Sequence, residues 1–161
     1  MKKILIAISS IILLGAGCSS ATPNSNNTGN PTTVQKTEKK LEMKNQKLTK
    51  VPSYIFQLSE TTELDLSNND LTGALPAEVR HLKKLRKLNL SNNKFTGVPA
   101  EVGQLTELIE LDISGNNITG LPLEIGNLKK LQIFNISGNN VSKIDLDQIV
   151  SNIPNVKIIQ N

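Results

Sequence analysis

Four short stretches of the chain concentrate groups that could do chemistry: DLSNND (65–70), NLSNNK (89–94), DISGNN (112–117) and NISGNN (135–140). Each puts an acid or amide, a hydroxyl and further amides within six residues. Asp65-x-Ser67-x-Asn69 and Asp112-x-Ser114-x-Asn116 have the spacing that opens a calcium loop. Such a loop needs Gly at its sixth position and Glu at its twelfth. Here the sixth positions are Asp70 and Asn117 and the twelfth are Pro76 and Leu123, so no metal site is expected. A phosphate-binding loop fares no better, because GNNITG (115–120) lacks the Lys-Ser/Thr that must follow.

Catalysis needs a base beside a nucleophile and something to orient it. His81 is the sole histidine, and it aligns with Gln104 and Asn127 in a variable, solvent-facing slot. Ser67, Ser91, Ser114 and Ser137 form a column by periodicity, which singles out none of them as a nucleophile. The chain reads as a non-enzyme without a cofactor. In the basic run HLKKLRK (81–87), Leu82 and Leu85 belong to a core pattern, which leaves a solvated patch. Nucleic acid is not an expected partner.

What positions these residues is a repeat. Aligning on the apolar pair of each unit gives LEM (41–43), LDL (64–66), LNL (88–90), LDI (111–113), FNI (134–136) and VKI (156–158), spaced by 22 to 24 residues. The alternation is that of a strand with one buried face. Leu64 and Leu66 therefore point inward while Asp65 points out. Five residues after the second apolar residue comes another, at Leu71, Phe95, Ile118 and Val141, so the chain must turn in between. Asn69, Asn93, Asn116 and Asn139 fall inside those turns, where a carboxamide can pair backbone groups left without partners. Thr-Gly at 72–73, 96–97 and 119–120 then permits a tight turn with positive φ. Pro76, Pro99 and Pro122, each followed by Glu two residues later, read as the first helical position of a short helix.

The fullest unit, LRKLNLSNNKFTGVPAEVGQL (85–105), resembles the leucine-rich repeat family with its core L-x-x-L-x-L-x-x-N-x-L. The resemblance covers residues 38–161 and implies an α/β solenoid: a short right-handed arc of about six coils, with a parallel sheet on the concave face and short helical turns on the convex face. It also implies that Asn69, Asn93, Asn116 and Asn139 stack as a ladder, with Gln46 weakening it in the first coil and Asn161 in its place in the last. One coil cannot bury its own leucines, whereas stacked coils bury a continuous core. The Lys-rich first unit, with Tyr54 and Phe56, suits a closing coil. At the other end, DLDQIVSNI (145–153) reads as a regular helix followed by a last strand.

The family's partners commonly sit on the concave sheet face. The centres of the L-x-L units put Glu42, Asp65, Asn89, Asp112, Asn135 and Lys157 there, and the residues two earlier add Lys40, Glu63, Lys87, Glu110, Ile133 and Asn155. From these, Glu63, Asp65, Lys87, Asn89, Glu110, Asp112 and Asn135 are the candidate contacts for a protein partner, with Asp112 left free by the repeat. Tryptophan is absent and Phe95 and Phe134 sit at core positions, so the face lacks the aromatic anchors that dominate tight interfaces and sugar stacking. Glycan or cell-wall binding, or a structural envelope role without a specific partner, are the alternatives. The chain reads as a monomer.

Ahead of the repeats, MKK and the apolar run ILIAISSIILL (4–14) have the layout of an export signal. Gly15-Ala16-Gly17-Cys18 resembles the lipobox of bacterial lipoproteins, which implies cleavage before Cys18, lipidation of its thiol and a membrane-anchored envelope protein. Residues 18–37, rich in Ser, Thr, Asn and Pro, cannot bury enough apolar surface to fold and read as a tether. Once residues 1–17 are removed, 16 basic residues face 14 acidic ones, which gives no electrostatic reason to expect a polyanion.

Overall fold

A computed structural model describes residues 39–160. The leader, Cys18, the tether, Glu38 and Asn161 lie outside the described residues. Among the described residues, no helix is long and apolar enough to cross a membrane.

The strands β1 (Lys39–Glu42), β2 (Thr61–Asp65), β4 (Lys87–Asn89), β6 (Glu110–Asp112), β7 (Ile133–Asn135) and β8 (Lys157–Ile159) form one six-stranded parallel sheet in that order. Adjacent strands come from adjacent coils, so the chain is a solenoid with the sheet along its concave side. Registers place Leu41, Leu64, Leu88, Leu111 and Phe134 side by side across the sheet. These residues, with Met43, Leu66, Leu90, Ile113 and Ile136, line one buried row after another. Burial of such stacked aliphatic rows, at about 25 cal/mol per Å² of apolar surface, is the main force holding coils together.

The convex side of each of the first four coils is a five-residue 3-10 turn: Ser53–Gln57, Ala77–His81, Ala100–Gln104 and Leu123–Asn127. Proline does not open these turns from the first helical position. Pro76, Pro99 and Pro122 are the extended residues just before, with ψ of 138°, 154° and 135°. The turn closes three residues on, as Leu82, Leu105 and Leu128 donate to the carbonyls of Val79, Val102 and Ile125. The helical part of each connection is only five residues long, a length at which the tighter i→i+3 pattern is common.

The Thr-Gly segments also differ from expectation. Only Gly73 among their glycines has a left-handed φ, at 77°. Thr72–Ala74 and Lys94–Gly97 are instead extended strands, β3 and β5, which pair in parallel as a second, two-stranded sheet. The sharp reversal lies earlier, in the middle of each SNN or SGN triplet: Asn68 and Asn92 have φ of 55° and 54°, and Gly115 and Gly138 have 60° and 67°. Asparagine and glycine are the residues that tolerate this region.

At the ends, Ile55 and Phe56 close the first coil from inside, while Tyr54 stays 46% exposed with its hydroxyl 3.9 Å from Met43 Sδ. The last coil replaces the 3-10 turn with α1 (Lys143–Asn152), capped by Ser142, whose Oγ accepts from the Asp145 amide. Its far end is tied down by Lys129, whose Nζ donates to the carbonyls of Gly126 and Asn152. This longer element changes the register of the last strand. Ile158, not Val156, lies opposite Phe134, and Ile159, not Lys157, lies opposite Asn135. The final spacing is thus two residues longer than the apolar pattern suggested, which removes the basis for placing Asn161 at the ladder position.

Candidate functional site: the outward face of the sheet

Each strand delivers two outward side chains to the concave face before the chain turns. The first row runs Lys40, Glu63, Lys87, Glu110, Ile133 and Lys157, the second Glu42, Asp65, Asn89, Asp112, Asn135 and Ile159.

In the first row, charges alternate from coil to coil. Lys40 Nζ is 3.8 Å from Glu63, and Lys87 Nζ is 3.7 Å from Glu63 and 4.0 Å from Glu110. Lys40 also meets Glu42 at 2.7 Å. That hydrogen bond, then the charge attraction behind it, pushes the Lys40 ammonium up from its ordinary pKa and holds the Glu42 carboxyl below its own. These pairs are solvent-exposed and contribute little to stability. Lys40, Glu63, Lys87 and Glu110 line a shallow depression of about 170 Å³ on this face.

The second row serves the backbone. Asp65 Oδ1 accepts from both the amide and the hydroxyl of Ser67, at 2.9 and 2.6 Å. The same motif recurs at Asn89–Ser91, Asp112–Ser114 and Asn135–Ser137. Such side-chain-to-backbone bonds fix the chain as it leaves the strand. Asp112 is therefore not free: Oδ1 holds Ser114, and Oδ2 accepts from Asn135 Nδ2 at 3.0 Å. The serine column had no assigned job in the sequence, yet the [Asp/Asn]-x-Ser spacing, repeated four times, carried the signal.

Behind the face, the ladder asparagines stitch coils together. Asn93 Oδ1 accepts from the Leu71 amide at 3.1 Å, while Nδ2 donates to the carbonyls of Leu66, Leu90 and Ser91. Asn116 makes the corresponding bonds to Phe95, Leu90, Ile113 and Ser114. Asn69 reaches back to Gln46 N, Leu48 N and Met43 O, and Asn139 to Ile118 N and Ile113 O. The Gln46 amide thus joins the ladder through its backbone.

The face is not uniform along its length. Its N-terminal and middle coils are charged, whereas its last coils set half-buried Ile133 and the 37% exposed Ile159 beside Asn135 and Lys157. Ile159 entered this row only through the register change. His81 is exposed on the opposite side, in a 3-10 turn. Among the described residues, no group of three or more His, Cys, Asp or Glu is placed to hold a metal.

A family model described as leucine rich repeat matches residues 39–95 and 83–141. Among solved structures, a leucine-rich repeat protein of Leptospira interrogans is 40% identical, with a TM-score of 0.64 over 68% of this chain and 28% of that one. The ectodomain of the receptor kinase SOBIR1 from Arabidopsis thaliana is 33% identical, with a TM-score of 0.63 over 74% of this chain and 66% of that one. The plant peptide hormone receptor RGFR1, solved in complex with RGF2, is 30% identical with a TM-score of 0.58, over 68% and 22% of the respective chains. The chain spans less than two thirds of the length of each.

Proposed function

Because the chain belongs to the leucine-rich repeat family, whose domains generally mediate protein–protein interaction, we propose that it is a non-enzymatic interaction module displayed on a cell envelope by a lipid on Cys18. The concave sheet face is the partner surface. One observation carries the reading: six parallel strands hold an alternating row of ionic side chains, followed by Ile133 and Ile159, on a backbone that asparagine and serine side chains tie coil by coil. A preorganised face loses little entropy on binding, which offsets its shortage of aromatic anchors. Glu63, Lys87 and Glu110 contribute charge recognition, and Ile133 and Ile159 contribute apolar contact. Asp65, Asn89, Asp112 and Asn135 set the shape of the face with one oxygen and offer the partner their remaining polar atoms. The peptide-bound relative supports a polypeptide as ligand class.

The test uses the residues whose only ties are ionic. Capture of a protein partner by the full chain is expected to fall at least about tenfold with Glu63→Lys plus Glu110→Lys, a loss of 1.4 kcal/mol. Unchanged capture would remove the face assignment, and binding to purified cell wall instead would redirect it to glycan. Incorporation of labelled palmitate, abolished in Cys18→Ala, tests the anchor.

A further inference from the structure

Charge is not spread evenly along the solenoid. Between Lys39 and Leu58, the first coil carries Lys39, Lys40, Lys44, Lys47 and Lys50 against Glu42 alone, a side-chain balance of +4. From Ser59 to Gln160, 10 basic residues face 12 acidic ones, a balance of −2. Lys36 and Glu38, just ahead of the first coil, cancel. A near-neutral total therefore hides a cationic end and a mildly anionic remainder.

The neighbouring coil does little to neutralise that end. Its Glu60, Glu63 and Asp70 are engaged from the far side by Lys84, Lys87 and Lys94 of the third coil, at 2.7, 3.7 and 2.7 Å. Of these acids, Glu63 also reaches back, to Lys40 at 3.8 Å. Within the coil, Glu42 is shared by Lys40 and Lys44. Lys39, Lys47 and Lys50 are exposed, with no carboxylate in ion-pair range among the described residues. Their strand, β1, is the outermost of the sheet. Parallel strands lie about 4.8 Å apart, and the flexible stem of a lysine is longer than that. An ammonium anywhere on the first coil therefore reaches the plane that ends the solenoid.

We propose that the first coil seats on an anionic membrane surface, with its lysines against the headgroup phosphates. The proposal takes its setting from the lipid-anchored reading above: the chain leading to Cys18 enters the solenoid at this coil, so a lipid there brings these lysines to the headgroups first. Each lysine near an anionic surface adds about fivefold to partitioning, and three unneutralised ones about a hundredfold. The surface potential fades over about 8–10 Å, the depth of the first two coils. The anionic remainder is held away, which stands the solenoid on its cationic end and leaves the sheet face clear for a partner.

The test places the full chain in vesicles of phosphatidylcholine, alone or mixed with phosphatidylglycerol, and reads the acylation rate of each lysine by mass spectrometry. Lys39, Lys47 and Lys50 should react at least about tenfold more slowly on the anionic vesicles, while Lys83, Lys143 and Lys157 of later coils keep their rates. Protection should vanish at about 1 M salt. Equal slowing of both sets, or none of the first, would overturn the proposal. Stronger protection by soluble polyphosphate would do so too, by making a free polyanion the ligand. With anionic vesicles in excess, Cys18→Ala should keep the protection, because the contact is electrostatic. Protection without palmitate incorporation into the parent chain would remove the anchor alone; incorporation without protection would remove the docking alone.

Discussion

The interior coils and the closing coil use the same parts under different constraint. Asn116 is buried between two neighbouring turns, and its bonds span 2.9–3.1 Å. Asn139, in the closing coil, is half-buried, and its bonds spread from 2.8 to 3.5 Å. The glycines make the same contrast. At Gly103 a Cβ would run into the backbone carbonyl of Glu124 in the next 3-10 turn, whereas at Gly126 it would meet the side chain of Asn152 in α1 at 3.1 Å. Stacking on both sides turns an ordinary hydrogen bond or contact into an obligatory one. Where the neighbour is solvent, as at Asn139, or a side chain of α1, as at Gly126, the same residue has room to adjust.

The largest effect that separates the two regions should come from these glycines. Gly103→Ala is expected to cost about 3 kcal/mol, because the clashing atom is backbone, and Gly126→Ala about 1 kcal/mol, because a side chain can move. Urea unfolding of the two variants would measure it; equal losses would mean that the closing coil is as rigid as the interior. Next comes the ladder. Asn116→Ala should cost about 2–3 kcal/mol by leaving buried backbone groups unpaired, and Asn139→Ala about 1 kcal/mol, since water reaches its partners. The same denaturation series reads both, and a reversed order would break the comparison.

Smaller still is the strand-exit motif. Asp112→Ala is expected to cost about 1 kcal/mol, with Ser114→Ala similar and the double variant less than their sum. Additive losses would mean that the two side chains do not act as one bond. The smallest effect concerns exposed ion pairs between coils. The hydrogen bond from Lys94, then its charge, holds the Asp70 carboxyl below its ordinary pKa. A depressed folded pKa stabilises above the ordinary aspartate range and is lost as pH falls through the depressed value. Thermal midpoints of the native chain should therefore drop slightly more than those of Asp70→Asn on acidification. That difference should disappear at about 1 M salt, where screening is nearly complete.

Much of this architecture was legible in the residues. The inward rows at Leu64/Leu66, Leu88/Leu90 and Leu111/Ile113, and the amides at 69, 93, 116 and 139, recur at a fixed period. What recurs in every coil must occupy equivalent places when coils stack. The second sheet was not legible, because Thr72–Ala74 and Lys94–Gly97 contain glycine and exposed polar residues, with no alternation to announce a strand. Asp112 was misjudged for a different reason. Its side chain does leave the core, as the alternation requires, but outward position does not decide whether solvent, a partner or its own backbone takes the carboxylate.

The last strand shows the division most clearly. Alternation established that Val156 and Ile158 share the inward side and that Lys157 and Ile159 face out, because side chains in a strand repeat with period two. A shift by two residues leaves that pattern intact, so alternation alone could not choose between Val156 and Ile158 as the neighbour of Phe134. The packing of α1 against the preceding turn, through Asn152, Gly126 and Lys129, made the choice. The sequence by itself determined the coil, its buried rows and its amide positions, since these follow from local periodicity. Only the tertiary structure decided the register at the end and the occupation of Asp112, since each depends on what the neighbouring coil presents.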